Sequence, residues 1–192
     1  MADKSNDGNA ARKAAAPSGD RAKAPAQSAP ESREKAAKRG KMVAASFGEI
    51  VVLMAHTPAL AERPLKDLDW LVAPPIALGQ YLVIRSEVKK NVVAPVAAAL
   101  WAFVSEEVDQ RLSAQKEGLM RLEFKEWRSG KIPWVIEVLG ERRAVSNLLG
   151  RLATTVFKDR PAKMRVVDNK GVTRIGLLKP AAVKPTGKGA QS

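Results

Sequence analysis

Few side chains in this sequence can move a proton near neutral pH. Two stand out among the 192 residues: the single histidine, His56, and Glu137, a carboxylate set inside the apolar run Trp134–Leu139 (W-V-I-E-V-L). The absence of cysteine removes thiolate nucleophiles, disulfides and Cys-type zinc sites. A carboxylate enclosed in a cleft has its charged form disfavoured and becomes a base closer to neutral pH. Glu137 is either such a group or the solvated end of its strand, paired with Arg142 or Arg143. His56 sits where a helix ends, the place of a capping or surface imidazole. Arg121, Lys125, Arg128, Lys131, Arg142, Arg143 and Arg151 cluster around the Trp134 run, with Glu123, Glu126 and Glu141 among them. They make either an ordinary solvated face or a docking patch for an acidic partner. No phosphate-binding loop, metal-ligand spacing or Ser-His-Asp order is present.

These groups must be positioned by the elements around them. Phe47, Ile50, Val51 and Met54 have helical spacing, with Ser46 and Glu49 in a capping-box pattern. Thr57-Pro58 closes this helix and caps the next turn. Leu65, Leu68, Leu71 and Val72 predict a second helix, stopped by Pro74-Pro75. Leu78-Gly79-Gln80 turns the chain into a strand through Arg85, and Pro95–Val104 reads as its antiparallel partner. Ser105 with Glu106 and Glu107 opens a helix that ends at Gly118. Residues 119–127 are helical or irregular, Trp134–Leu139 is a central strand, and a helix runs from Arg142 to about Phe157. Residues 163–168 and 172–178 flank Asn169-Lys170-Gly171 as a hairpin. The four tryptophans, Trp70, Trp101, Trp127 and Trp134, are assigned to the core as its largest apolar groups. The fold class is α+β, with one domain over residues 42–178.

Residues 1–41 lack aromatics and are rich in Ala, Lys, Ser and Asp. With 179–192, they are expected to be disordered tails, since little apolar surface offsets the entropy of ordering. The formal charge is +13, but 42–178 holds 20 Lys/Arg against 15 Asp/Glu, so over half the excess lies on the tails. That argues against nucleic-acid binding by the folded part. The start of the chain has no apolar core of a leader, and no apolar run approaches the ~18 residues of a membrane span. A cytoplasmic protein without membrane insertion is expected.

Three stretches resemble one known family. They are Pro74-Pro75-Ile76-Ala77-Leu78-Gly79-Gln80-Tyr81, then Phe103-Val104-Ser105-Glu106-Glu107-Val108 with Arg111-Leu112, then Glu126-Trp127-Arg128-Ser129-Gly130 followed by Trp134-Val135-Ile136-Glu137. In this order and spacing they are similar to the RTX-toxin-activating lysine acyltransferases, which move a fatty acyl group from acyl carrier protein to internal lysines of a protoxin. The resemblance spans about Phe47 to Leu178. It implies a GNAT-like fold: a mixed, mostly antiparallel sheet with flanking helices. It implies no bound cofactor, with acyl-acyl carrier protein as donor and an RTX-type protein as substrate. It also implies a carrier-binding patch at Arg121, Arg128, Arg142, Arg143 and Arg151.

In that family a His after a Ser-Pro dipeptide is the base, and an Asp in the later Trp strand is its partner. Thr57-Pro58-Ala59 puts the His position at Leu60, and the strand acid is Glu137. The family's Ala-Pro-Phe-Gly turn is replaced by Leu139-Gly140-Glu141-Arg142. The resemblance therefore implies Glu137 as base or orienter. His56 would supply the imidazole if a helix ran on through Pro58, placing 56 and 60 on one face. The alternative is an inactive relative that serves as adaptor or chaperone for the carrier or an RTX-type client. An open sheet edge leaves room for a homodimer.

Overall fold

A computed structural model of the chain describes residues 30–115, 118–167 and 172–180. The helices are α1 (Pro30–Ala55), α2 (Pro58–Ala61), α3 (Leu68–Leu71), α4 (Ala73–Leu78), α5 (Glu106–Ala114) and α6 (Arg142–Thr154). The strands are β1 (Tyr81–Lys89), β2 (Val92–Val104), β3 (Ile132–Gly140), β4 (Ala162–Val167) and β5 (Thr173–Leu178). Two 3-10 segments, Leu65–Asp67 and Phe124–Arg128, complete the order. The five strands lie in sequence order in one sheet, antiparallel except for the parallel β3–β4 pair. This is the expected α+β class with a mixed, mostly antiparallel sheet. Expectations for residues 1–29, 181–192 and the Asn169-Lys170-Gly171 turn lie outside the described residues.

β2 is the spine. Alanine is a poor strand former, yet Ala97, Ala98, Ala99 and Ala102 are fully buried within it. Their small side chains let helices approach both faces of the sheet, so packing overrides propensity. On one face Ala98, Leu100, Ala102, Val104, Trp134 and Ile136 pack with Ile50, Leu60, Val72 and Trp127 from the helical layer. On the other, Ala97, Ala99, Trp101 and Val135 pack with Leu148 and Leu152 of α6 and with Phe157. The core assignment of the tryptophans holds for Trp101, Trp127 and Trp134, which are buried, whereas Trp70 is half-buried.

Four local expectations are corrected. α1 starts at Pro30, inside the segment assigned to a tail, although residues 33–42 are exposed. Ser46 is therefore not a cap: it is buried mid-helix and accepts a hydrogen bond from Tyr81 Oη at 3.3 Å. Pro74-Pro75 is not a plain break: α3 ends ahead of it at Leu71, and the chain goes straight into a further helix, α4. These prolines occupy the first turn of α4, where a missing N–H costs nothing. α6 ends at Thr154 rather than near Phe157. Ser105, in contrast, caps α5 as expected, accepting from the Val108 amide at 3.4 Å.

The stretches that carried the resemblance touch one another. Buried Gln80 donates from Nε2 to the Trp127 carbonyl at 3.1 Å, joining the Gly-Gln-Tyr segment to the Glu-Trp-Arg-Ser-Gly segment. Ser129 Oγ accepts from the Ser105 amide at 2.9 Å. At Gly130 a Cβ would lie 2.3 Å from the Val104 carbonyl oxygen, so only glycine lets this turn back onto the strand-to-helix passage.

Candidate active site

Glu137 owes its direction to an irregularity in β3. Simple alternation from Trp134 would hand residue 137 to the α6 side of the sheet. The ladder instead pairs Trp101 with Val135 and Leu100 with Glu137, which leaves Ile136 as an extra residue, a β-bulge. Leu100 faces the helical layer of α1–α5, and directly opposed residues share a face. The bulge thus turns Glu137 toward the N-terminal helices.

The same region is where the sheet opens. β4 pairs with β3 only at Trp134–Lys163 and Val135–Met164, so beyond Val135 the two strands diverge. A cleft of about 250 Å³ fills the gap, lined by Val135–Val138, Gly118–Met120, Met164 and Arg165. Glu137 is half-buried in it, and its Oε1 accepts only a long 3.3 Å bond from the Val138 amide. Desolvation raises its carboxyl above the ordinary carboxylate range, opposed by that amide and by the nearby charge of Arg63. Glu137 therefore lies half-buried in a cleft and is not paired with Arg142 or Arg143. Arg142 and Arg143 are exposed on α6, across the sheet.

His56 lies elsewhere. α1 stops at Ala55 and α2 starts at Pro58, so no continuous helix carries residue 56 onto the face of residue 60. His56 is exposed and lines a separate cavity of about 520 Å³ with Leu53, Thr57, Pro58, Val88, Pro95, Val96, Gly140 and Glu141. The carboxylate that shares its cavity is Glu141, not Glu137. Thr57 Oγ1 donates back to the Leu53 carbonyl at 2.9 Å and makes no cap bond to α2. Leu60 is buried among the core side chains at 5 % exposure.

The five arginines divide between the two sides of the sheet. Arg121 stacks over Trp70 at 5.6 Å from the ring centroid, and Arg128 lines a surface cavity with Arg39 and Tyr81; both belong to the α1–α5 side. Arg142, Arg143 and Arg151 lie on α6, which covers the opposite face.

Sequence reasoning missed Arg63, Arg165 and the bulge. Arg63 follows α2; its side chain is 14 % exposed and its Nη1 stands 3.8 Å from Asp67 Oδ2. Arg165 lines the cleft and donates to the Gly118 carbonyl at 2.6 Å and to the Gln115 carbonyl. Its pKa is lowered by burial. The one sequence signal of the bulge is phase: Trp134, Ile136 and Leu139 cannot all share a face of an even strand. Among the described residues no group of three or more His, Cys, Asp or Glu is placed to hold a metal ion. No helix among them is long and apolar enough to cross a membrane.

The structure thus places a half-buried carboxylate with a raised pKa in the cleft where β3 and β4 part. Residues 40–179 match the RTX toxin acyltransferase family (HlyC), and the chain belongs to that family. It is 31% identical over 110 residues to the lysine-acyltransferase RtxC of Vibrio cholerae, covering 55% of this chain and 66% of that protein. It is also 28% identical over 125 residues to the uncharacterized protein sll0720 of Synechocystis sp., covering 65% of this chain and 81% of that protein. The chain is thus an acyltransferase of the RTX-activating kind by family.

Proposed function

We propose that the protein transfers a fatty acyl group from acyl carrier protein to lysine side chains of an RTX-type protein, with Glu137 as the base. One observation carries this reading: the bulge aims a desolvated acid into the cleft where β3 and β4 part. The lysine amine attacks the thioester carbonyl carbon, and Glu137 takes the proton that the new C–N bond makes acidic. The C–S bond then breaks, and Glu137 returns the proton to the departing thiolate. Acyl thioester and amine thus become amide and thiol with no other reactant. A raised pKa suits both halves, because the group must accept and release one proton near the working pH. Of the candidate carrier contacts, Arg121 and Arg128 share the sheet face of Glu137 and are the proposed docking residues; Arg142, Arg143 and Arg151 lie behind it.

The test is co-expression with an RTX-type client and acyl carrier protein, followed by mass spectrometry of client lysines. Acylation by the wild type that is lost in Glu137→Gln supports the reading, provided the variant keeps its circular dichroism. Acylation that persists in Glu137→Gln rules Glu137 out as base. A second reading is an inactive adaptor or chaperone, and it is favoured by the buried leucine at position 60, where the family carries its histidine. It predicts a stable complex with the carrier or the client and no lysine modification by the wild type.

A further inference from the structure

α1 runs well past the body on which it packs. Ser46 and Ile50 are buried against that body, whereas residues 33–42 are exposed. Arg39, Met42, Val43, Ser46 and Ile50 share one face at helical spacing, so the overhang carries the packing face of α1 onward, uncovered. Across from it stand Ile76–Gly79 at the end of α4, with Tyr81 and Arg128, and a groove of about 440 Å³ lies between. Its far wall is fixed. Buried Gln80 donates to the Trp127 carbonyl beside Arg128, and Tyr81 Oη donates to Ser46 of α1. The lining brings two guanidiniums and no carboxylate. Both arginines are exposed, and neither has an ion-pair partner among the described residues. Between them Met42 is 61 % exposed. Exposed methionine and arginine together are the composition of protein interfaces.

We propose that this groove docks an acidic helix of the acyl carrier protein, with its carboxylates on Arg39 and Arg128 and an apolar side chain on Met42, Val43, Ile76 and Leu78. Unanswered like charges around an apolar floor select an amphipathic helix whose acids flank an apolar anchor. The arginine fork matches a carboxylate in shape and charge, and methionine adapts to the side chain it meets. The place suits the chemistry as well. Tyr81 of the groove is paired with Leu100, and Leu100 with Glu137. Directly opposed residues share a face, so Tyr81 and the acid lie in one row of the sheet, two strand spacings or roughly 10 Å apart. A carrier seated here holds its thioester within a short reach of the cleft. The overhang of α1, which the sequence assigns to a tail, thereby becomes one wall of the donor's dock.

The inference rests on the carrier being the acyl donor, and its test needs binding but no turnover. The full chain is titrated calorimetrically with acyl-acyl carrier protein as wild type, Arg39→Glu, Arg128→Glu, Met42→Ser and Arg142→Glu. The last makes the same change in net charge on α6, behind the sheet. Each reversal in the groove weakens the complex about tenfold or more, Met42→Ser weakens it several-fold, and Arg142→Glu leaves it unchanged. Raised salt weakens the wild-type complex and removes most of the difference between it and the two groove reversals. A carrier that binds wild type and is indifferent to Arg39→Glu, or equally sensitive to Arg142→Glu, overturns the proposal and leaves the donor reading standing. A wild type that binds no carrier at low salt sinks the donor reading, and the dock with it. Capture by anionic phospholipid vesicles in place of the carrier, lost in the same groove variants, gives the groove to a membrane surface and also overturns the proposal.

Discussion

Asp109 closes the tight end of the cleft, and its removal gives a measurable test of how the sheet is held. From α5 its Oδ1 accepts from Trp134 Nε1 at 2.7 Å, and both its oxygens accept from Lys163 Nζ at 2.8 Å. Trp134 and Lys163 are themselves one of the two registered pairs that join β3 to β4. Asp109→Ala strands a buried indole N–H, a charge-assisted bond whose loss costs ~1.5–3 kcal/mol. The lysine pair adds at most ~1 kcal/mol, because Lys163 is 32 % exposed and such pairs are screened. Alanine returns about 0.5 kcal/mol through its higher helix propensity. The net expectation is a loss of about 1–3.5 kcal/mol, or a Tm lower by roughly 2–14 °C for a chain of this size. Asp109→Asn keeps an acceptor for the indole and loses about 1 kcal/mol. Urea unfolding followed by tryptophan fluorescence reads both values. A loss under about 0.5 kcal/mol for Asp109→Ala, or equal losses for Ala and Asn, would refute the reasoning.

Other expectations follow from backbone and charge. At Gly140, φ is +111° and a Cβ would lie 2.2 Å from the Val96 carbonyl oxygen, so Gly140→Ala loses more than ~2 kcal/mol. Gly150 in α6 has open space around it, so Gly150→Ala gains ~0.5–1 kcal/mol; thermal denaturation of the two variants should move in opposite directions. Burial raises the Glu137 carboxyl, so its stabilising contribution is complete below the unfolded carboxylate value and lost as pH rises through the folded one. Wild type therefore loses stability relative to Glu137→Gln as pH rises from the ordinary carboxylate range toward the raised folded value, and urea midpoints that stay parallel over that rise would contradict this.

The strands and the three family stretches were legible because each has a local cause: apolar runs, a Ser cap, glycines at tight turns. The start of α1 was not. Residues 33–42 present no apolar stripe, and good helix formers such as Ala, Lys, Arg and Glu carry that helix while exposed. Glu137 was found as an acid in an apolar run, but its face depends on pairing with β2, a long-range fact that no window of β3 alone contains. Arg63, lying between Pro58 and Pro64, looked like any solvated charge; only the folded layer encloses it. The expected reach of His56 failed at Pro58, which starts a new helix and leaves the imidazole beside Glu141.

One extra residue also sets how far the sheet can zip. Bulges add local twist, and β4 stays in register with β3 up to Val135, the residue just ahead of Ile136, and no further. Excising residue 136 would leave the acid opposite Leu100 yet take away the wedge, freeing the seam to run on and shut. The width of the opening is therefore an inheritance of chain length at one point, separable from the identity of the acid that uses it.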